Sequence, residues 1–247
     1  MLFKKFLLLI VLVTLAACSG AKDTTVMTPK EHFDYALEIY TDEDYQQALT
    51  EFQTILLQYP GSSVNDDAQY YLGMTYFNRD QFLLAAYEYS KLITNIPASP
   101  FVPMAQFQLA ESYYQLSPPA PLEQSYSIKA IEEFQAFIDF FPMNPKVEES
   151  EKKIAELNEK LAEKQYNNAV IYGKMEYTKA AIQYYTDVVN NYHDTKYAPL
   201  ALQNKIELLV QREQSREALE SIAIFYNRYP NHPDLSKVKE IEESLIN

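Results

Sequence analysis

The stretch Gln69–Pro97, QYYLGMTYFNRDQFLLAAYEYSKLITNIP, decides the fold. Its first half carries Leu72, Gly73 and Tyr76 at helical spacing. Its second half carries Ala85, Tyr89 and Leu92 in the same manner and stops at Pro97. Gly73 and Ala85 stand twelve apart across the polar turn Asn78-Arg79-Asp80. Small residues so placed let two antiparallel helices approach closely while larger side chains interdigitate. A single hairpin of this kind cannot cover its own apolar faces, so it predicts copies of itself.

The second-helix pattern recurs five times, from Ala48, Ala85, Ala130, Ala181 and Ala218. Four places on stand Phe52, Tyr89, Phe134, Tyr185 and Ile222; seven places on, Ile55, Leu92, Phe137, Val188 and Phe225. Eleven places on come Tyr59, Ile96, Phe141, Tyr192 and Tyr229. Pro60, Pro97, Pro142 and Pro230 then break four of the five helices, with His193 in the remaining copy. Helical hairpins in this register resemble tetratricopeptide repeats. The predicted fold is therefore all-α: a superhelix of five hairpins closed by a C-terminal capping helix, for which Leu235, Val238, Ile241 and Leu245 supply the apolar stripe.

Outward from the array, the chain begins with Lys4 and Lys5, an apolar run from Phe6 to Leu15, and Leu15-Ala16-Ala17-Cys18. This is the charge, apolar core and small-residue ending of a secretory signal, and the run is short for a transmembrane helix. LAAC resembles the bacterial lipobox, which implies cleavage after residue 17 and a lipidated Cys18; the alternative is an ordinary signal with an incidental cysteine. Cys18 is the single cysteine of the chain, so packing alone must hold the domain together. Ser19, where an aspartate would signal retention, favours the outer membrane. Residues 18–28 read as a lipidated flexible tether, 29–142 as repeats one to three, and 143–247 as a long connecting helix, repeats four and five and the capping helix. Pro29 opens the first helix behind Thr28 as its cap.

Charge and motifs narrow the function. Loss of Lys4 and Lys5 takes the formal charge from −13 to −15, a poor match to nucleic acid or an anionic lipid surface. No glycine-rich phosphate loop, G-x-S-x-G or H-E-x-x-H occurs in the sequence. His32, His193 and His232 lack metal-ligand spacing and read as surface residues. The chain is thus expected to be non-enzymatic, with neither metal nor cofactor beyond the covalent lipid.

The first helices have a period of their own. Ala36, Gly73 and Ala110 are spaced by 37, as are Phe33, Tyr70 and Phe107, and as are Tyr40, Phe77 and Tyr114. In tetratricopeptide arrays the first helices line the concave side, where two such aromatic rows would form a groove for a peptide with bulky apolar residues. Each ring either lines that groove, with Phe33 and Phe107 foremost, or packs between hairpins as core. Repeat three departs from the pattern: Ala110 to Ala130 is twenty residues, and Ser117-Pro118-Pro119-Ala120-Pro121-Leu122-Glu123-Gln124 forms a loop that its prolines keep from being helical. Beyond Pro145, Glu148/Lys152, Glu149/Lys153 and Glu156/Lys160 are spaced for intrahelical ion pairs on a charged helix from about 146 to 172. That helix is either a solvated connector or a rigid spacer between the two sets of repeats.

The run Ser117–Ile138, SPPAPLEQSYSIKAIEEFQAFI, resembles the third-repeat loop and helix of the BamD (ComL) family, lipoproteins of the outer-membrane β-barrel assembly machinery. The resemblance extends over lipobox, hairpins, insertion and long helix; Glu123 and His193 depart from the usual residues. It implies a scaffold anchored through Cys18 at the periplasmic face of the outer membrane. Its C-terminal repeats would bind the periplasmic domain of a BamA-like barrel insertase, other lipoproteins of the machinery being possible partners. Its N-terminal groove would take the C-terminal signal of unfolded outer-membrane proteins. The competing class is a different periplasmic repeat lipoprotein, a cell-division coordinator or secretion pilot, and those generally lack the proline-rich insertion.

Overall fold

The computed structural model describes residues 24–246. The signal segment and Cys18 lie outside the described residues. Among the described residues there are eleven α-helices and no strands. Five hairpins follow one another: α1 (Pro29–Thr41) with α2 (Tyr45–Gln58), α3 (Asn65–Asn78) with α4 (Phe82–Asn95), α5 (Val102–Leu116) with α6 (Ser125–Phe140), α7 (Val147–Lys174) with α8 (Thr178–Asn191), and α9 (Tyr197–Gln211) with α10 (Ser215–Arg228). The final helix, α11 (Leu235–Ile246), caps α10. Each helix packs mainly on the next in sequence, and the first helices of neighbouring hairpins touch directly at α1/α3 and α7/α9. This is the tetratricopeptide-type solenoid that the spacing predicts.

The repeated residues explain the repeated geometry. All ten side chains at the fourth and seventh positions after the small residue are buried. At the eleventh position Tyr59, Ile96, Phe141, Tyr192 and Tyr229 each leave the helix as its C-cap, and each N–H still reaches the carbonyl four residues back. The following proline or histidine therefore meets a chain that has already turned. Gly73 is required by contact: a Cβ there would come within 2.6 Å of the fully buried Tyr89 ring. Four inner turns place a non-glycine residue in the left-handed region, Glu43, Asp80, Glu176 and Glu213, each five before the small residue. The third hairpin, with its inserted loop, has no such residue.

At the N-terminus Thr28 and Glu31 form a reciprocal capping box: Thr28 N–H donates to Glu31 Oε2 at 2.8 Å, and Glu31 N–H donates to Thr28 Oγ1 at 3.3 Å. Residues 24–28, expected as the end of a flexible tether, are instead built into the first hairpin. Thr24–Val26 makes a 3₁₀ turn, and the Tyr59 hydroxyl donates to the Met27 carbonyl at 2.9 Å.

The apolar interior is continuous in pieces. One core runs through the first two hairpins into α5. A second joins Phe107, Phe134 and Phe137 to Leu157 of α7. A third begins with Ala162 of the same helix and fills the last two hairpins. The 28-residue α7 is therefore packed over most of its length, as the spacer reading requires. Its expected intrahelical ion pairs are replaced: Lys153 crosses to Glu111 of α5 at 2.8 Å, Glu149 pairs with Lys146 at 2.7 Å, and Lys160 donates to Ser117 Oγ at 2.6 Å. Lys153 and Lys160 thus find partners on the packed third hairpin, while Glu149 turns back to Lys146 at the cap of its own helix.

Candidate functional site

The two aromatic rows of the first helices part company in the structure. Phe33, Tyr70 and Phe107 are only 7, 9 and 3 % exposed. Phe33 packs on Phe52 and Tyr71, with ring centroids 6.0 and 5.9 Å away. Tyr70 stacks on Phe101 at 4.7 Å, and Phe107 meets Phe134 and Phe137 edge-on at 5.8 and 5.6 Å. These three rings, expected foremost in a groove, are hairpin core: the second helix of each repeat comes close enough to bury whatever stands three places before the small residue.

Tyr40, Phe77 and Tyr114, four places after it, remain half-buried. Tyr40 lies 5.4 Å from Tyr71 and accepts a hydrogen bond from Asn78 Nδ2 at 2.8 Å. Phe77 packs edge-on against Phe82 at 5.1 Å. Tyr114 donates to Glu156 Oε2 at 2.6 Å while the Lys153 ammonium sits 4.2 Å over its ring. The charged hydrogen bond from Glu156 raises the Tyr114 phenol to about 12, with burial adding to it. This outer row is the part of the predicted site that keeps accessible ring surface.

Tyr114 also marks where the inserted loop is held. Within the loop, Gln124 Nε2 donates to the carbonyls of Pro119 and Leu122 at 2.8 and 3.1 Å, and Ser127 Oγ donates to Gln124 Oε1 at 2.6 Å. From the opposite side α7 reaches over: Lys164 donates to the Leu122 carbonyl at 2.7 Å, next to the Lys160–Ser117 bond. The proline-rich segment is thus a fixed shelf that presents Leu122 to solvent, with Ile128 of α6 exposed beside it in sequence. Two polar pairs tie it to α7 across more than forty residues of sequence.

A further polar device was not anticipated. The residue four places before the small residue of the first helix meets the glutamate three places after the small residue of the second. Gln69 Nε2 donates to Glu88 Oε2 at 2.5 Å and Gln106 Nε2 to Glu133 Oε2 at 2.7 Å. His32 Nε2 lies 2.7 Å from Glu51 Oε2. The signal was present, since His32, Gln69 and Gln106 share the 37-residue period. His32, expected at the surface, is fully buried; His232 is half-buried against Phe225; only His193 is exposed. Among the described residues no group of His, Cys, Asp and Glu is arranged to hold a metal ion, and no helix is long and apolar enough to cross a membrane.

With solenoid, shelf and polar bridges in place, comparison with known proteins is informative. Residues 25–215 match the family described as YfiO, outer membrane lipoprotein. The chain belongs to that family. It is also 27 % identical over 231 residues to the outer membrane protein assembly factor BamD of Rickettsia prowazekii (strain Madrid E), covering 91 % of this chain and 90 % of that protein. Similar solved structures include a TPR repeats protein from Bacteroides fragilis NCTC 9343, at 12 % identity, TM-score 0.47, and coverage of 89 % of this chain and 98 % of that one. Another is a thermophilic tetratricopeptide protein of Thermus thermophilus, at 17 % identity, TM-score 0.38, and coverage of 89 and 99 %. The YfiO match includes the inserted loop and the whole of α7, the two features that set this member apart from a plain array.

Proposed function

We propose that this chain is a non-enzymatic assembly factor for outer-membrane β-barrel proteins, held by a lipid on Cys18 to the periplasmic face of the outer membrane. The observation that carries the reading is the family match spanning the shelf and α7, together with a BamD relative aligned over nine-tenths of both chains. In this role the solenoid is a scaffold. Its last two hairpins bind the periplasmic domain of a BamA-like insertase, and its first three take the C-terminal signal of unfolded clients. Client contact falls to the half-buried row Tyr40, Phe77 and Tyr114 and to Leu122 of the shelf, because the inner row is closed off. Ring contacts add about 0.5–1.5 kcal/mol per pair beyond area burial, which suits a client that must be released.

The test is purification of the tagged full-length protein from detergent-solubilised outer membranes, with its companions identified by mass spectrometry. A large β-barrel protein recovered in equal amount is the expected result. Recovery only with division or secretion proteins of the inner membrane would replace this reading with that of a different repeat lipoprotein.

A further inference from the structure

The chain alternates between two kinds of turn, and the antiparallel order of its helices sorts them to opposite edges of the solenoid. The inner turns, within hairpins, are charged, with Asp42-Glu43-Asp44 in the first and Arg79-Asp80 in the second. The outer turns that follow the first three hairpins are not. No charged residue stands between Glu51 and Asp66, between Lys91 and Glu111, or between Asp139 and Lys146, although the net charge is −13. Of the charges that flank this edge, Glu31 accepts from the Thr28 N–H and Asp66 from the Ser99 hydroxyl, both at 2.8 Å. Lys30 pairs with Asp34 and Lys146 with Glu149, both at 2.7 Å, and burial beside Asp66 pushes the Asp67 carboxyl above its usual range. Glu148, exposed in the first turn of α7, bounds the uncharged edge. Beyond it the outer turns of the last two hairpins carry Asp194, Lys196 and Asp234.

Apolar side chains stand where charge is missing. Val26, Leu57, Phe140 and Met143 are 82, 81, 75 and 93 % exposed, more than any other large hydrophobic side chain among the described residues, and all four lie on this edge. An open hollow of about 570 Å³ joins Leu57 and Gly61 at the first outer turn to Asn95 and Ile96 at the second. Its two charges are both partnered, Asp66 as above and Lys91 with Glu88 at 2.9 Å. Another hollow, of about 360 Å³, lies between Pro103 and Phe140, Pro142 and Met143 at the third. Chain length fixes what lies opposite. Cys18 is six residue steps before Thr24, and six steps span at most about 20 Å. Met27 is packed on this same edge, its carbonyl accepting from the Tyr59 hydroxyl. The charged inner-turn edge is farther away by the length of a hairpin, about 20 Å for the 13 residues of α1. We infer that the outer-turn edge of the first three hairpins is a membrane-contact surface, lying on the phospholipid leaflet that holds the anchor, with Val26, Leu57, Phe140 and Met143 buried at the headgroup boundary. The edge offers apolar surface rather than cations, so the contact needs no anionic lipid. It rests on the function proposed above only in taking Cys18 as lipidated.

The test uses the full-length lipidated protein in phosphatidylcholine vesicles, with one introduced cysteine per variant: Leu57→Cys, Met143→Cys or, on the inner-turn edge, Asp42→Cys. Cys18 is acylated on its sulfur, so only the introduced thiol takes the dye NBD. The labels at 57 and 143 shift to the blue and are quenched by phosphatidylcholine bearing a nitroxide at a shallow acyl carbon, and the label at 42 is not. Adding Val26→Asn and Phe140→Asn together reduces the quenching at 57 and 143, while the protein still floats with the vesicles on its lipid. Quenching that this pair leaves unchanged overturns the proposal, since the tether alone would then be placing the labels. Mass spectrometry of the N-terminal peptide separates the contact from the anchor. An acylated Cys18 with labels at 57 and 143 no more quenched than the one at 42 overturns the contact and leaves the anchor standing; an unacylated Cys18 overturns both. Labels untouched by lipid in vesicles but shielded from iodide in native outer membranes would assign the edge to a partner protein and overturn the lipid contact likewise.

Discussion

In the first three hairpins a glutamate of the second helix is met by Gln69, Gln106 or His32 of the first; in the last two, the corresponding positions hold Tyr184 and Ser221. Tyr184 stacks on Tyr172 with centroids 5.2 Å apart, and Ser221 donates back to the Glu217 carbonyl of its own helix. Each of the first three hairpins therefore ties its two helices together with a buried or part-buried polar contact at the same repeat position. The last two hairpins have no glutamate at that position, and there Asn204 donates to the hydroxyls of Tyr166 and Tyr185 at 3.0 and 3.2 Å. One scaffold thus joins its paired helices in two ways, by a carboxylate bridge at a fixed repeat position in the first three hairpins and by ring and amide contacts in the last two.

The largest test of that contrast is Phe107→Ala. If the ring is core, the variant loses about 3–5 kcal/mol, a drop in melting temperature of roughly 10 °C at the 2–4 °C per kcal/mol typical of this size. Tyr177→Ala, at an exposed ring, changes stability by less than about 0.5 kcal/mol. Similar losses from both would show that burial does not set the two rings apart. Next in size is Glu88→Ala, which leaves the buried Gln69 amide only the longer bond to the residue 88 carbonyl, 3.3 Å in this structure, at a cost of about 1–3 kcal/mol. Ser221→Ala, at the same repeat position in the last hairpin, stays within about 0.5 kcal/mol. Urea unfolding of the two variants measures the difference, and equal midpoints would show that the buried bridge contributes nothing special.

The smallest effect is one of pH. Tyr114 is held as the neutral phenol by its bond to Glu156, so the folded protein keeps this proton more firmly than the unfolded chain does. Its contribution to stability is complete below pH 10 and is lost as pH rises through about 12. Tyr114→Phe should flatten the fall in stability over that window, and an absorbance titration should lose one late-titrating phenol. An unchanged titration curve would mean that the tie between α5 and α7 is weak in solution.

Hairpin number, helix ends, the inserted loop, the N-terminal cap and the capping helix were all legible in the chain, because each depends on residue types at fixed spacing: proline after the C-cap, threonine before Pro29, small residues at the crossings. Which aromatic row faces outward was not, since Phe33 and Tyr40 are alike in kind and differ only in how closely α2 approaches. The ion pairs of α7 were misread for a related reason. Spacing along one helix says which lysine and glutamate are near neighbours, but only the packed neighbour reveals that Glu111 is waiting for Lys153. The buried bridges could have been found: three glutamates at one repeat position, matched by three polar residues sharing a 37-residue period, exceed what a solvated face needs.

The long helix α7 sets how the molecule can yield. At 1.5 Å per residue its 28 residues form a beam about 42 Å long, rooted in the central core at Leu157 and in the C-terminal one from Ala162 onward. With about one and a half turns between those roots, little length is left in which to bend. Through Lys160 and Lys164 the same beam also holds the proline shelf, so the shelf and the last two hairpins are carried by one continuous element.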